Sequence, residues 1–156
     1  DGKFLHHEKF YGLRDLVIEG SPTSISVEER ILFKYGTGHA PGDSSSNGKT
    51  LGQHEMGHAT IFIDMAQAVD AEIARFMDMW VCPPCLSAMT NYLKNVVVYA
   101  NVALRYQNTA YDCAEHDPGP NKTVFCAKAD LYHTVLTIFE DYGLEPAKEA
   151  YNQACR

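Results

Sequence analysis

Thr50–Trp80, TLGQHEMGHATIFIDMAQAVDAEIARFMDMW, is the stretch whose reading decides the fold. It passes without a proline, and Thr50 with Gln53 has the spacing of a capping box, which predicts a helix start there. On a 3.5-residue stripe, Leu51, Glu55, His58, Phe62, Met65, Val69, Glu72 and Phe76 share one face. That face is apolar apart from Glu55, His58 and Glu72. A carboxylate or an imidazole turned into a core is costly unless it is paired, hydrogen-bonded or metal-bound. Chemistry is therefore expected on this helix.

Within it, His54-Glu55-Met56-Gly57-His58 fits H-E-x-x-H. Two histidines at i and i+4 share a face and suit one Zn²⁺, while the glutamate between them is placed to act as general base. Three features count against this reading. Ile61 stands where metzincins carry glycine, Thr60 is polar, and no strand is expected before the helix to form a substrate edge. Glu72 does not supply a third ligand, because roughly 20 Å of helix separates it from His58 at about 1.5 Å per residue. The second pattern in the same residues is Glu55-x-x-His58, the pair that metal-binding helical bundles use.

Outward from this helix, the rest of the chain also reads as helical. Residues 3–17, KFLHHEKFYGLRDLV, carry apolar side chains at helical spacing. Ser26 and Glu29 make a second capping box that opens a short helix ending at Gly36. The loop TGHAPGDSSSNGKT follows, with the composition of a mobile surface segment. After Pro83 and Pro84 comes a long helix over Leu86–Gln107, with Tyr92, Tyr99 and Tyr106 bordering its apolar stripe. A loop is expected over 108–123, then a helix over Val124–Tyr142. Leu131, Val135, Ile138 and Tyr142 are expected inward on it and Gly143 at its cap. A last helix opens at Pro146. The expected architecture is all-α, a disulfide-containing bundle of four to six helices forming a single domain over residues 1–156.

Composition narrows the partners. A net charge of -7 argues against nucleic acid, and no apolar run reaches transmembrane length. Small-molecule, lipid or metal ligands are left open. Five cysteines and the Asn121-Lys122-Thr123 sequon, a glycosylation acceptor, point to secretion. Cys113 and Cys126 flank a Pro/Gly-rich loop and are the first expected bridge. One of Cys82 and Cys85 is expected to close onto Cys155, leaving an odd thiol. Glu115-His116-Asp117 lies in the bridged loop, where an acidic, solvated segment is the commoner explanation than a cation site.

Two resemblances add to this. Gln53–Met65, QHEMGHATIFIDM, with FLHHEKFYGL and SVEERILF before it, resembles the secreted fungal ferritin-like, stress- and desiccation-related family over residues 4–65. It implies a ferritin-like part and marks Glu55 and His58 as metal-ligand positions, with His6 or His7 as first-helix neighbours. The second Glu-x-x-His of that family is missing here. The order of Cys82, Cys85, Cys113, Cys126 and Cys155 is similar to saposin-like lipid-binding domains over residues 82–155. From these the first expectation is metal binding or metal-dependent redox chemistry centred on Glu55 and His58, with Fe, Mn or Zn. The alternatives are Zn²⁺-dependent hydrolysis, with His54 and His58 as ligands and Glu55 as base, and a structural or lipid-binding module.

Overall fold

The computed structural model describes residues 9–19, 24–32, 40, 42–76 and 82–155, with only the backbone in the two strands and at position 46. Helix α1, Leu51–Ala74, starts where the capping box predicts. The Thr50 side chain accepts from the Gln53 backbone N–H at 3.2 Å, and the Gln53 side chain accepts from the Thr50 N–H at 2.9 Å. Helix α2, Pro83–Glu115, opens on two prolines, which the first turn tolerates because its N–H groups have no helical acceptor. No glycine or proline occurs between Cys85 and Glu115, so nothing stops this helix at Gln107. Asn108–Glu115 form its last two turns and not the loop expected over 108–123.

Helix α3, Pro120–Phe139, begins directly after Gly119. It passes through a π-helical turn, Glu140–Leu144, into α4, Glu145–Ala154. The helical part therefore amounts to three rods, the last one α3 and α4 in line, and not four to six separate helices. Gly143 does not cap α3. It sits inside the π turn, where a Cβ would come within 3.1 Å of the Phe139 ring.

The largest correction lies at the N-terminal end. Lys9–Glu19 and Ser24–Leu32, both expected to contribute helix, are strands β1 and β2, paired antiparallel from Lys9↔Leu32 to Glu19↔Ser24. Two register irregularities interrupt the pairing, between Tyr11 and Arg14 and between Arg14 and Val17. The Ser26/Glu29 capping box thus falls inside a strand. Val17, Ile18, Ile25, Val27 and Ile31 are β-branched, and Ile25, Val27 and Ile31 alternate with Ser24, Ser26 and Arg30, a period-2 signal that outweighs the helical one. Helix still dominates the described residues, as the all-α expectation has it, but a hairpin precedes α1, with β2 lying against α1 and β1 against α2.

The core joins α1, α2 and α4 through Phe62, Ala66, Val69, Ile73, Phe76, Met89, Leu93, Leu104 and Ala147. Tyr92 stacks on Tyr151, and Phe76 meets both rings edge-on. Glu72, polar on an apolar stripe, is held by Arg75 at 2.8 Å and by the Tyr92 hydroxyl at 2.8 Å. It has no part in a metal site. On α3 the inward residue is Ala129, with Phe125, Tyr132, Leu136 and Phe139 half-buried beside it. Leu131, Val135, Ile138 and Tyr142, expected inward, are exposed, Tyr142 by 81%.

Two disulfides lock the ends. Cys85–Cys155 ties the start of α2 to the end of α4, and Cys113–Cys126 ties the end of α2 to α3; Cys82 is the free, exposed thiol. They span sequence separations of 70 and 13 residues. On the chain-entropy account the longer loop stabilises more, by about 1.5 kcal/mol. Replacing Cys85 and Cys155 by serine is expected to lower the urea-unfolding free energy by that much more than replacing Cys113 and Cys126.

Candidate metal centre

Three side chains converge between α1 and the end of α2. His54 and His58, one turn apart on α1, aim their Nε2 atoms at Asp112 Oδ1, at 3.2 and 3.0 Å. The donor atoms of His54, His58 and Asp112 all lie within 4.8 Å of one another. Zinc–ligand bonds of about 2.0–2.1 Å place tetrahedral donors roughly 3.3 Å apart, so the two nitrogen–oxygen spacings already suit one ion. The site is nearly dry: side-chain exposure is 8% at His54, 4% at His58 and 16% at Asp112.

The outer contacts fix the orientation of His58. Asn108 donates its amide N–H to Leu104 O at 2.8 Å, which turns its Oδ1 toward His58 Nδ1 in a short hydrogen bond. Nδ1 must then carry the proton, and Nε2 is left either to take a second proton or to bind a cation. Burial opposes charging His58. The hydrogen bond and charge of Asp112, helped by Asn108 and Glu55, outweigh that and raise its pKa. Burial would likewise raise Asp112, but the hydrogen bonds from His54 and His58 hold its carboxyl down at about 2. At His54, Nδ1 is buried with no hydrogen-bond partner among the described residues. Two imidazole nitrogens and a carboxylate oxygen in a dry cluster are a donor set able to hold a transition metal.

Tyr111 holds the two histidines apart from solvent. Its ring stacks on His54 at 5.1 Å and meets His58 edge-on at 4.9 Å, and its hydroxyl donates to His54 O at 3.2 Å. The loop before α1 turns through left-handed Asn47 and Gly48, and the Ser44–Thr50 bridge closes it. That delivers Lys49 to the Tyr111 hydroxyl at 3.4 Å and to Glu115 at 2.6 Å. Gly57 makes the close approach of Tyr111 workable, since a Cβ there would overlap the phenol carbon and oxygen. Alanine in mid-helix normally stabilises by about 1 kcal/mol over glycine. Overpacking against a ring clamped by two histidines costs about 1–3 kcal/mol. Gly57→Ala is therefore expected to destabilise in urea unfolding, and to become neutral or stabilising when combined with Tyr111→Ala.

Of the residues singled out from sequence, His54 and His58 belong to this cluster, and Glu55 is buried beside it, near enough that its charge acts on His58. His6 and His7 lie outside the described residues. Asp112 was missed because residues 108–123 read as loop. Its signal was available: Asn108, Asp112 and His116 recur every four residues, one face of a continued helix. Glu115 and His116 are not part of a solvated acidic loop, since Glu115 pairs with Lys49 and His116 sits at the edge of the cluster. Asn121 is exposed in the first turn of α3. No helix among the described residues is long and apolar enough to cross a membrane. No protein-family model, curated protein or solved structure matches this chain.

Proposed function

We propose that the chain is a zinc-dependent hydrolase of peptide or related amide bonds, with His54, His58 and Asp112 as metal ligands and Glu55 as general base. The observation that carries this reading is the convergence of both H-E-x-x-H histidines on one carboxylate of a second helix, with the intervening glutamate buried alongside. Three protein ligands are the set of a catalytic zinc, which keeps a position open, whereas structural zinc takes four. A zinc ion in such a set polarises a carbonyl and lowers the pKa of water. Glu55 accepts the proton of the attacking water and returns it to the leaving amine. Asn108 and Tyr111 hold the imidazoles in register. A strand, whose expected absence counted against this reading, is present in the hairpin, and among the described residues each of its two strands has one unpaired edge of the kind that takes an extended peptide. Two disulfides support a site of action in an oxidising, extracellular compartment.

A second reading has one observation in its favour. Two histidines and one carboxylate are also the facial donor set of non-haem Fe(II), which keeps metal-dependent redox chemistry in view. It gives Glu55 no task, and of the two positions the ferritin-like resemblance marks on α1, His58 is among the converging donors and Glu55 is not. Metal analysis of the purified protein with a casein-cleavage assay separates them. One bound zinc with chelator-sensitive cleavage supports the hydrolase. Iron without cleavage supports the redox reading, and no retained or acquired metal sinks both.

A further inference from the structure

His116 stands just outside the metal-ligand set, on the most exposed side of the cluster. Its side chain is 27% exposed, against 8% and 4% for His54 and His58. Its Nε2 lies 3.9 Å from Asp112 Oδ1, the oxygen on which the other two imidazoles converge, and its ring is edge-on to His54 at 5.6 Å. It is not one of the donors that lie within 4.8 Å of one another. At 3.9 Å its Nε2 is beyond hydrogen-bond reach of that oxygen and outside the convergent set, so His116 borders the ligands and is not counted among them.

Its position is nevertheless fixed from three sides. The backbone N–H donates to Asp112 O at 3.0 Å, the carbonyl accepts from Lys122 Nζ at 3.0 Å, and the ring rests on Phe125 at 4.7 Å. The Cys113–Cys126 bridge fastens the same corner. An imidazole held in this way, outside hydrogen-bond reach of the neighbouring carboxylate, has its Nε2 available to an incoming substrate atom.

We propose that His116 is a catalytic residue of this site, donating a ring N–H to the oxygen that gains charge when water adds to the substrate carbonyl. The proposal rests on the hydrolase reading. In the step, the water oxygen bonds to the carbonyl carbon while one water proton passes to Glu55. The carbonyl π pair moves onto its oxygen, where His116 donates. The pair then returns, the carbon–nitrogen bond breaks, and the proton on Glu55 goes to the amine nitrogen. One water is consumed and nothing is oxidised. A donor placed where charge develops contributes more to the transition state than to substrate binding.

The test uses the full chain loaded with Co²⁺, in wild type, His116→Ala and His116→Gln. Expected for His116→Ala are an unchanged visible cobalt spectrum and a cobalt affinity within about twofold. Acetohydroxamate, whose oxygens mimic the charged adduct, is expected to bind about tenfold more weakly. Casein cleavage is expected to lose about 10²-fold in kcat with KM little changed, the scale of one oxyanion donor. His116→Gln, which keeps an N–H donor, is expected to recover part of both losses. An altered cobalt spectrum or weakened cobalt binding would overturn the proposal by making His116 a ligand. Unchanged acetohydroxamate affinity and kcat would overturn it by making His116 a bystander. Wild type that binds cobalt and cleaves nothing overturns the hydrolase reading and this proposal together.

Discussion

Glu55→Gln is expected to stop casein cleavage while leaving zinc in place. The amide keeps the shape of the carboxylate but has no lone pair basic enough to take a proton from water, and a positioned general base contributes about 10²–10⁴-fold. His54, His58 and Asp112 are untouched, so zinc stoichiometry should stay at the wild-type value. Glu55 is buried and its charge helps raise the His58 pKa. Its loss therefore makes His58 easier to deprotonate, and zinc uptake should extend slightly further into acid. Cleavage that survives the substitution would remove Glu55 from the mechanism. Zinc lost together with cleavage would make it a ligand instead.

Asp112→Ala is expected to remove the metal. Zinc sites bind with about 10–16 kcal/mol in total, so one ligand of three or four is worth roughly 10²–10³-fold in affinity. Isothermal titration with zinc after chelation reads this directly. The same change alters the acid–base behaviour of the metal-free protein. Asp112 titrates at about 2 in the fold against an ordinary 3.8, so its contribution, about 2 kcal/mol, is present above 3.8 and is lost as pH falls toward 2. His58 has a raised pKa, so its contribution is complete below its ordinary 6.5 and is lost as pH rises through the raised value. The metal-free wild type is thus expected to be most stable between about pH 4 and 6.5, and urea unfolding across pH should show that maximum flattened in Asp112→Ala. Zinc competes with the proton on His58 Nε2, so its affinity should fall on acidification, through the range where His58 protonates. A zinc affinity independent of pH would sink the proton–metal competition.

Much of this was readable along the chain, because it depends on neighbours in sequence. The capping box at Thr50 and Gln53 is three residues wide. The pairing of His54 with His58 needs only a helical period. The bridge from Cys113 to Cys126 closes a short loop, and the odd thiol follows from five cysteines. The hairpin was misread because residues 9–19 and 24–32 carry apolar side chains that satisfy both periods locally. Pairing of the two segments with each other, which no local pattern reports, is what separates a strand from a helix there. On α3, two stripes of apolar residues run one position apart, through Phe125, Tyr132, Leu136 and Phe139 and through Leu131, Val135, Ile138 and Tyr142. Periodicity sees both, and only packing on α2 chooses the first.

The chain by itself determined a long capped helix presenting His54, Glu55 and His58, and a set of cysteines able to close two loops. Tertiary structure alone decided what those histidines meet. Asp112 lies 54 residues beyond His58, on a helix whose four-residue recurrence of polar groups marks a face but not what that face meets, and antiparallel packing of α2 on α1 brings it within 3.0 Å. An i,i+4 pair is set by the 1.5 Å rise of one helix, whereas a third ligand depends on how two helices dock, and that depends on the whole buried surface between them.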